Sequence, residues 1–556
     1  MGYPWGMRAL AWSLLPLVAA CGENADSFGT GNGETKGVAD VRYDLDPYGL
    51  TPLTAVVSLA HPHLVPDEVT EIRFTLHGVD EAADLEVALD PQDPAWDLLF
   101  DPELVADGRV GFPLFGLFPN ATNRLDIWID SEGGAFRADL ELPVGEVPDR
   151  GGQGGSEVTH DEAASEPGWP WYDQFLYDES GGLRWTGPAI VQVLDDGTLL
   201  SNVDRIDRFG GHIVDRDLPD YLRWHHDTIQ LPGGTVAALV DSERTQVVNA
   251  DGDTVSSKHD VIVELAADGS DIVNLWDLRA FLDVDRIVLR EKDGDWAHAN
   301  TLHYEEAVDA LHVSARYQGI VSLTRGGEQG SETNAGKELR WIFAPHLGWG
   351  EAGWDGQGGL QTADYLLTAV DSEGVPYSTA VQQALEAPPE DADPFWWPIA
   401  QHGLQVTERH GATLRLLTWV NQASVLLDGA DSTGNITAWG ANGDFSNDRS
   451  DTPYSLIAEY EIDEDAHTVR QVWAYGEGMD VLYGSHEGSA LLGRVTGNRF
   501  LVSTGYDQAD PSSTYHPSIV ELDASGEVIS SFTLDTSSYS AFKGGRTPLY
   551  AGEAVR

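Results

Sequence analysis

The sequence predicts an all-β protein: a β-propeller preceded by a small N-terminal β-sandwich. Short apolar runs with period-two alternation recur along the chain. The turns between them are rich in small and rigid residues, with 60 Gly and 28 Pro among 556 residues. From about Pro167 onward, strand–turn–strand units repeat with Asp-Gly or a relative at the turn. Asp-Gly between alternating strands is a strong hairpin signal, and its degenerate repetition over about 390 residues fits four-stranded sheets arranged radially.

The elements follow in order. Arg8 precedes an apolar run, Ala9 to Ala20, that ends in Val18-Ala-Ala-Cys21. The run is shorter than the roughly 20 residues a membrane span needs, and it suits a signal-peptide core. Cys21 is the chain's single cysteine, and its position resembles a bacterial lipobox, where the cysteine is lipidated and becomes the mature N-terminus. The expectation is a signal peptide over 1–20 and a lipid-anchored protein of the periplasm or cell envelope, with membrane contact only through Cys21. The small, polar, glycine-rich residues 21–37 read as a tether. Residues 38–148 alternate strand-like runs with turns, among them Thr54-Ala-Val-Val-Ser-Leu59, Glu71-Ile-Arg-Phe-Thr-Leu76 and Arg124-Leu-Asp-Ile-Trp-Ile129, which fits the sandwich. Residues 149–168, with Arg150-Gly-Gly-Gln-Gly-Gly155 and clustered acids, read as a linker. Residues 169–556 are the propeller, with hairpin turns at Asp195-Asp-Gly197, Asp268-Gly269 and Asp523-Ala-Ser-Gly526. Tryptophan-bearing runs lie between these units, at Trp276, Trp341 and Trp473.

Charge narrows the partners. The chain carries 91 acidic against 32 basic residues, a formal net charge of −59, so nucleic acid is excluded: phosphate binding needs a basic footprint. Without a second cysteine the fold is held by core burial rather than by disulfides.

Three stretches begin alike. Trp224-His225-His226-Asp227 leads into Thr228-Ile-Gln-Leu231. Trp296-Ala-His298-Ala-Asn300 is followed at a short distance by Ser314-Ala-Arg316-Tyr317. Gln401-His402-Gly403 leads into Leu404-Gln-Val-Thr407. A propeller puts the starts of its innermost strands around one channel, which would bring His225, His226, His298, Asn300 and His402 to a single mouth, with Arg316 beside them. Imidazoles, an amide and a guanidinium make a donor-rich cationic pocket suited to an oxyanion and to charge developing in a group transfer. An imidazole nitrogen can also act as a nucleophile. Taken singly, each residue has a plainer structural reading, such as a strand cap or an arginine paired with a carboxylate; their recurrence at equivalent strand starts points to a site. No serine triad, Cys/His zinc site or phosphate loop is present, and neither HxxxH nor HExxH spacing surrounds His225-His226-Asp227. No metal or organic cofactor is expected, and the Asp-rich turns are expected to close without Ca²⁺.

These residues carry a resemblance. His225-His226-Asp227 with Leu231-Pro-Gly-Gly234, Trp296-Ala-His298-Ala-Asn300-Thr-Leu-His-Tyr304, Ser314-Ala-Arg316-Tyr-Gln318 and Gln401-His402-Gly403 resemble the bacterial arylsulfotransferases that work without an activated nucleotide donor (PAPS-independent). Tyr460-Glu-Ile-Asp463 running into Gln471-Val-Trp-Ala-Tyr-Gly476, and Asp46-Pro-Tyr-Gly-Leu-Thr-Pro-Leu53, are similar to that family too. The resemblance implies a six-bladed propeller with a sandwich domain, exported to the periplasm. It implies an aryl-sulfate sulfotransferase that moves a sulfuryl group from a phenolic sulfate to a phenol in two steps, without a cofactor. His402 matches the transiently sulfated nucleophile, and His298, Asn300 and Arg316 match residues that hold the sulfuryl oxygens. One of His225 and His226 matches a further contact, and the spacing to the turn favours His225. The chain departs from the family in lacking a cysteine pair and in its acidity, which leaves a sulfated polysaccharide or steroid-like ester open as substrate. Two other readings stand beside this one: a silent propeller that binds ligands or partners at the cell surface, and an aryl-sulfate hydrolase. The oligomeric state, a homodimer included, and the membrane leaflet are left open.

Overall fold

The computed structural model describes residues 40–547, apart from 79–83, 92–104, 106–107, 148–154, 161–163, 166–168, 173, 179–181, 195, 243–244, 249–253, 285, 287–294, 327–333, 354–358, 390–391, 422, 424–425, 431–435, 439–454, 477–487, 494, 504–517 and 535–543. Cys21, the signal run and the whole of the expected tether, 21–37, lie outside the described residues. Among the described residues regular structure is nearly all strand; one four-residue helix, Thr379–Gln382, and a few short 3-10 turns are the exceptions.

Alternation decides which face of each strand turns inward. In Val69–Leu76 the residues Ile72, Phe74 and Leu76 are buried, and in Ala121–Ser131 so are Leu125, Ile127 and Ile129. Both belong to a four-stranded antiparallel sheet with Leu85–Leu89 and Gly134–Val144. A second, three-stranded sheet is formed by Asp40–Leu45, Thr54–Ala60 and Val110–Phe115. Phe74 of one sheet stacks on Phe112 of the other at 5.4 Å. The same apolar core continues past residue 148: Phe115 meets Phe209 at 4.9 Å, and Arg184 lies over the Phe118 ring while donating to the Gly116 carbonyl.

Among the described residues six further sheets of four or five strands follow, with two two-stranded hairpins, Thr245–Val248 with Thr254–Ser257 and Leu427–Ala430 with Ile436–Ala438. Four of the larger sheets are antiparallel meanders beginning with Gln192–Val193, Arg223–Gln230, Ala299–Glu305 and His402–His410; the second and fourth are interrupted in sequence by the two hairpins, and the last gains a parallel edge strand, Thr368–Ala369. The other two are closed by distant chain. Gly544–Thr547 pairs with Trp169–Tyr172, and Gly155–His160 pairs with Val528–Leu534. That second strand lies inside the stretch expected as a linker, 149–168. Its run Ser156-Glu-Val-Thr-His160 is short and flanked by glycine, and its partner is more than 350 residues away, so no local pattern marks it. The Asp268-Gly269 and Asp523–Gly526 turns join neighbouring strands as expected, with Gly269 and Gly526 in the left-handed region.

The tryptophans tie one sheet to the next. Trp185 Nε1 donates to the Arg208 carbonyl, Trp276 Nε1 to the Thr324 carbonyl, and Trp341 Nε1 to Glu464 Oε1, each reaching the following sheet. The Arg499 guanidinium sits over Trp473 at 4.5 Å. A buried indole contributes a large apolar area, but its N–H must find an acceptor, and here the neighbouring sheet supplies it.

Candidate active site

The first strands of four successive sheets, Arg223–Gln230, Ala299–Glu305, His402–His410 and Ser489–Leu492, lie side by side. The three that carry the histidines are each broken at the same place. Pairing register shifts between Trp224 and Thr228, between Ala299 and Thr301, and between His402 and Leu404. The residues left out of the ladder are His225, His226 and Asp227 in the first strand, Asn300 in the second and Gly403 in the third, and such a break bends the strand and re-aims the side chains beside it. His226 and His298 take left-handed φ values of 57° and 48°, a conformation that costs a non-glycine residue roughly 1–2 kcal/mol. Beside His402 the left-handed position is Gly403, where a Cβ would stand 2.8 Å from Ser489 Cα and the Ala490 amide nitrogen.

The result is a row of imidazoles. Ring centroids are 5.0 Å apart for His225 and His226, 5.0 Å for His226 and His298, and 6.5 Å for His298 and His402; the Tyr317 ring flanks His298 at 5.7 Å. His226 is therefore the member of the tandem pair that meets His298, while His225, favoured by its spacing to the turn, stands behind it.

His402 is 3% exposed. Its Nδ1 lies 2.7 Å from Asn421 Oδ1 and 3.2 Å from the Ala400 carbonyl. Both partners accept, so Nδ1 carries the proton and Nε2 keeps its lone pair. Burial, and after it the Arg316 cation, hold the His402 pKa well below the ordinary histidine range. His298 Nδ1 donates to Asp295 Oδ2 at 2.8 Å, and Lys258 Nζ reaches the same oxygen at 3.1 Å. Burial opposes the Asp295 charge, but the His298 hydrogen bond and the neighbouring cations outweigh it and keep the carboxyl ionised.

Backbone contacts hold the assembly in register. The Arg316 amide donates to the His298 carbonyl and the Tyr317 amide to the Ala297 carbonyl. Asn300 Nδ2 donates to the Gln401 carbonyl at 2.8 Å, and Thr301 Oγ1 accepts from the Gly403 amide at 3.0 Å. Gln401 Nε2 donates to the carbonyls of Ala315 and Gly319. Asn300 thus steadies the start of the His402 strand. The two oxygens of buried Asp227 accept the amides of Thr228 and Leu302, and Asp260 Oδ2 accepts that of Ala299, so both carboxylates stitch the His226 sheet to the His298 sheet.

Sequence reasoning passed over Asn421, Asp295, Asp260, Asp241 and Lys258. Only Asp295 carried a local signal, three residues before His298. His225, Asp241 and Asp260 bring one nitrogen and two carboxylate oxygens close enough together to hold a cation, as do the more exposed Asp204, His212 and Asp215.

Antiparallel sheets thus bring histidines, an arginine and an asparagine together at the broken starts of neighbouring strands, a donor-rich group of the kind that suits an oxyanion transfer. The arylsulfotransferase (ASST) family profile matches residues 170–542. The chain belongs to that family and is an enzyme of that class. It is 24% identical over 542 residues to arylsulfate sulfotransferase AssT of Escherichia coli O6:H1, covering 78% of this chain and 79% of the relative. To AssT of Lelliottia amnigena it is 23% identical over 544 residues, with the same coverage. Among solved structures, dihydro-heme d1 dehydrogenase NirN in complex with DHE is 12% identical and covers 68% of this chain and 78% of its own, with a TM-score of 0.21, too low to bear on the fold.

Proposed function

We propose that this protein transfers a sulfuryl group from an aryl sulfate to a phenol by a ping-pong mechanism through a sulfohistidine at His402. The observation that carries the reading is the His402 environment: a buried, neutral imidazole whose Nδ1 proton is donated to Asn421, leaving the Nε2 lone pair to attack, with Arg316 beside it. In the first half-reaction Nε2 bonds to sulfur as the S–O bond to the aryl group breaks, and the departing phenolate takes a proton from His298 Nε2. In the second, His298 Nε2 takes the proton of the acceptor phenol, whose oxygen bonds to sulfur as the S–N bond breaks, returning both histidines to their starting states. Arg316 neutralises the sulfuryl oxygens in both steps. His298 is suited to the acid–base role because Asp295 holds its Nδ1 proton and leaves Nε2 to exchange one.

In this reading the six sheets of four or five strands after residue 155 are the blades of a propeller, and the two sheets of residues 40–144 form a sandwich docked on it. The apolar run ending at Cys21 supports export and a lipid anchor facing the periplasm or outer envelope.

Purified protein incubated with p-nitrophenyl sulfate, with and without phenol, tests the reaction, with intact mass measured on wild type and His402→Ala. The expected result is phenol-dependent nitrophenolate release and a sulfuryl adduct that is absent from His402→Ala. Release that ignores phenol would mean hydrolysis, and neither release nor adduct across a panel of aryl sulfates would favour a binding propeller.

A further inference from the structure

His225 lies one step away from the reacting groups and has contacts on both ring nitrogens. Its Nε2 faces Asp241 Oδ1 at 3.5 Å and Asp260 Oδ1 at 3.4 Å; its Nδ1 lies 2.8 Å from His226 Nδ1. Two like nitrogens at that distance must share one proton, since two N–H groups would collide and two lone pairs would repel. Carboxylates only accept, so a proton on His225 Nε2 is favoured by both of them. The Nδ1 proton then belongs to whichever ring better carries charge. That ring is His225, flanked by two carboxylates, and not His226, flanked by His225, His298 and His402.

Resting on the transfer reading above, we propose that His225 is a positioning residue: an imidazolium held between Asp241 and Asp260, it donates Nδ1–H to His226 Nδ1 and so fixes His226 as the tautomer with its proton on Nε2. In that form His226 is a hydrogen-bond donor beside His298 and His402, available to an anionic sulfuryl or leaving oxygen, and it cannot compete with His402 as a nucleophile, because its only lone pair is occupied. Electrostatics agree. Burial works against charge on His225, but Asp260, Asp241 and Asp295 outweigh it and raise its pKa, whereas burial and then the three neighbouring histidines push His226 well below the ordinary range. The charged and titratable groups around the pair are Asp241 at the end of its strand, Asp260 at the start of the next, Lys258 beside Asp241 and Asp295, and Asp295 and His298 ahead of Ala299–Glu305. Asp241 and Asp260 are thereby given a chemical reason for facing one imidazole.

The test is the pH dependence of kcat/KM for aryl-sulfate transfer in His225→Gln, His225→Leu, Asp260→Asn and Asp241→Asn, each with its melting curve and its sulfuryl adduct mass. Asn at 260 keeps an oxygen for the Ala299 amide, and Asp241 is partly exposed, so both of these variants are expected to fold. His225→Leu should lose about 10-fold to 100-fold in kcat, by analogy with other supports of a functional histidine. His225→Gln, which can still donate one N–H to His226, should retain more. Asp260→Asn and Asp241→Asn remove a carboxylate that favours the cation, so the alkaline limb should move to lower pH by about one to two units. A purely structural His225 would not move that limb or rank Gln above Leu. Profiles of folded variants that superpose on wild type would overturn the proposal. So would activity abolished by a chelator and restored by a divalent cation, which would put an ion among His225, Asp241 and Asp260. Wild type that forms no adduct and transfers nothing would remove the transfer reading itself, and this proposal with it.

Discussion

The strands Ala299–Glu305 and His402–His410 bury ionisable side chains at both ends, and the two ends are built differently. At their starts stand His298 and His402, on bulged backbone, each anchored through Nδ1. At their far ends Glu305 and Arg409 pair, and the network closes: Arg409 also binds Glu464, Arg340 binds Glu464 at 2.7 Å, Trp341 donates to Glu464, and His312 Nε2 meets Glu305 at 2.9 Å. Both His312 and His402 are lowered by burial before any other cause. His312 meets a carboxylate, whereas His402 meets an amide and an arginine. The carboxylate at His312 is tied in turn into the Arg409 network, whereas the amide at His402 leaves a neutral ring that keeps its Nε2 lone pair.

The comparison can be broken at either end. His402→Ala should lower transfer by about 10⁴-fold or more, as for other covalent nucleophiles, without unfolding the protein by circular dichroism. Arg409→Met should do the opposite. Stripping the shared cation from Glu305 and Glu464 should destabilise the fold by about 3–5 kcal/mol in denaturant unfolding, with turnover per folded molecule near wild type. Arg316→Met should cost about 10²–10³-fold in kcat/KM and move the acid limb of adduct formation. Because Arg316 lowers the His402 pKa, wild type should keep its nucleophile neutral to pH values below the ordinary histidine range, and the variant should lose it at a higher pH. Glu305 sharpens the contrast by the opposite sign. Burial resists its charge, but His312 and Arg409 hold its pKa down to about 2. Its contribution to stability is therefore present above the ordinary glutamate range and is lost as pH falls toward about 2, so acid unfolding midpoints of wild type and Glu305→Gln should converge there. The smallest effect belongs to Trp276→Phe, which keeps one aromatic ring but loses the pyrrole half with its hydrogen bond to Thr324, and should cost about 1–3 kcal/mol by thermal melting.

The all-β class was legible because alternation and Asp-Gly turns are local, and so was the meeting of His298 with His402, through the shared pattern at their strand starts. The bulges were not, because a register shift exists only relative to a partner strand. That is why spacing favoured His225 while the left-handed turn at His226 carries His226 to His298. Asn421 gives no warning either: it follows Val420 as any strand-ending polar residue would, and only pairing of the His402 strand with Thr413–Val420 brings it to the imidazole. Asp260 and Asp241 read as ordinary strand termini for the same reason.

Two sheets join chain from far apart: Gly155–His160 pairs with Val528–Leu534, and Trp169–Tyr172 with Gly544–Thr547. Joining ends that far apart costs about 5 kcal/mol of loop entropy, which only a nearly finished neighbour can offset. During synthesis the strand Gly155–His160 and the sheet that Trp169–Tyr172 begins stay unpaired on one edge until residues 528–547 are made, and open edges invite pairing with other chains. A chain cut short before residue 544 would thus carry every histidine of the site and still lack the strand that seals the sheet of Trp169–Tyr172.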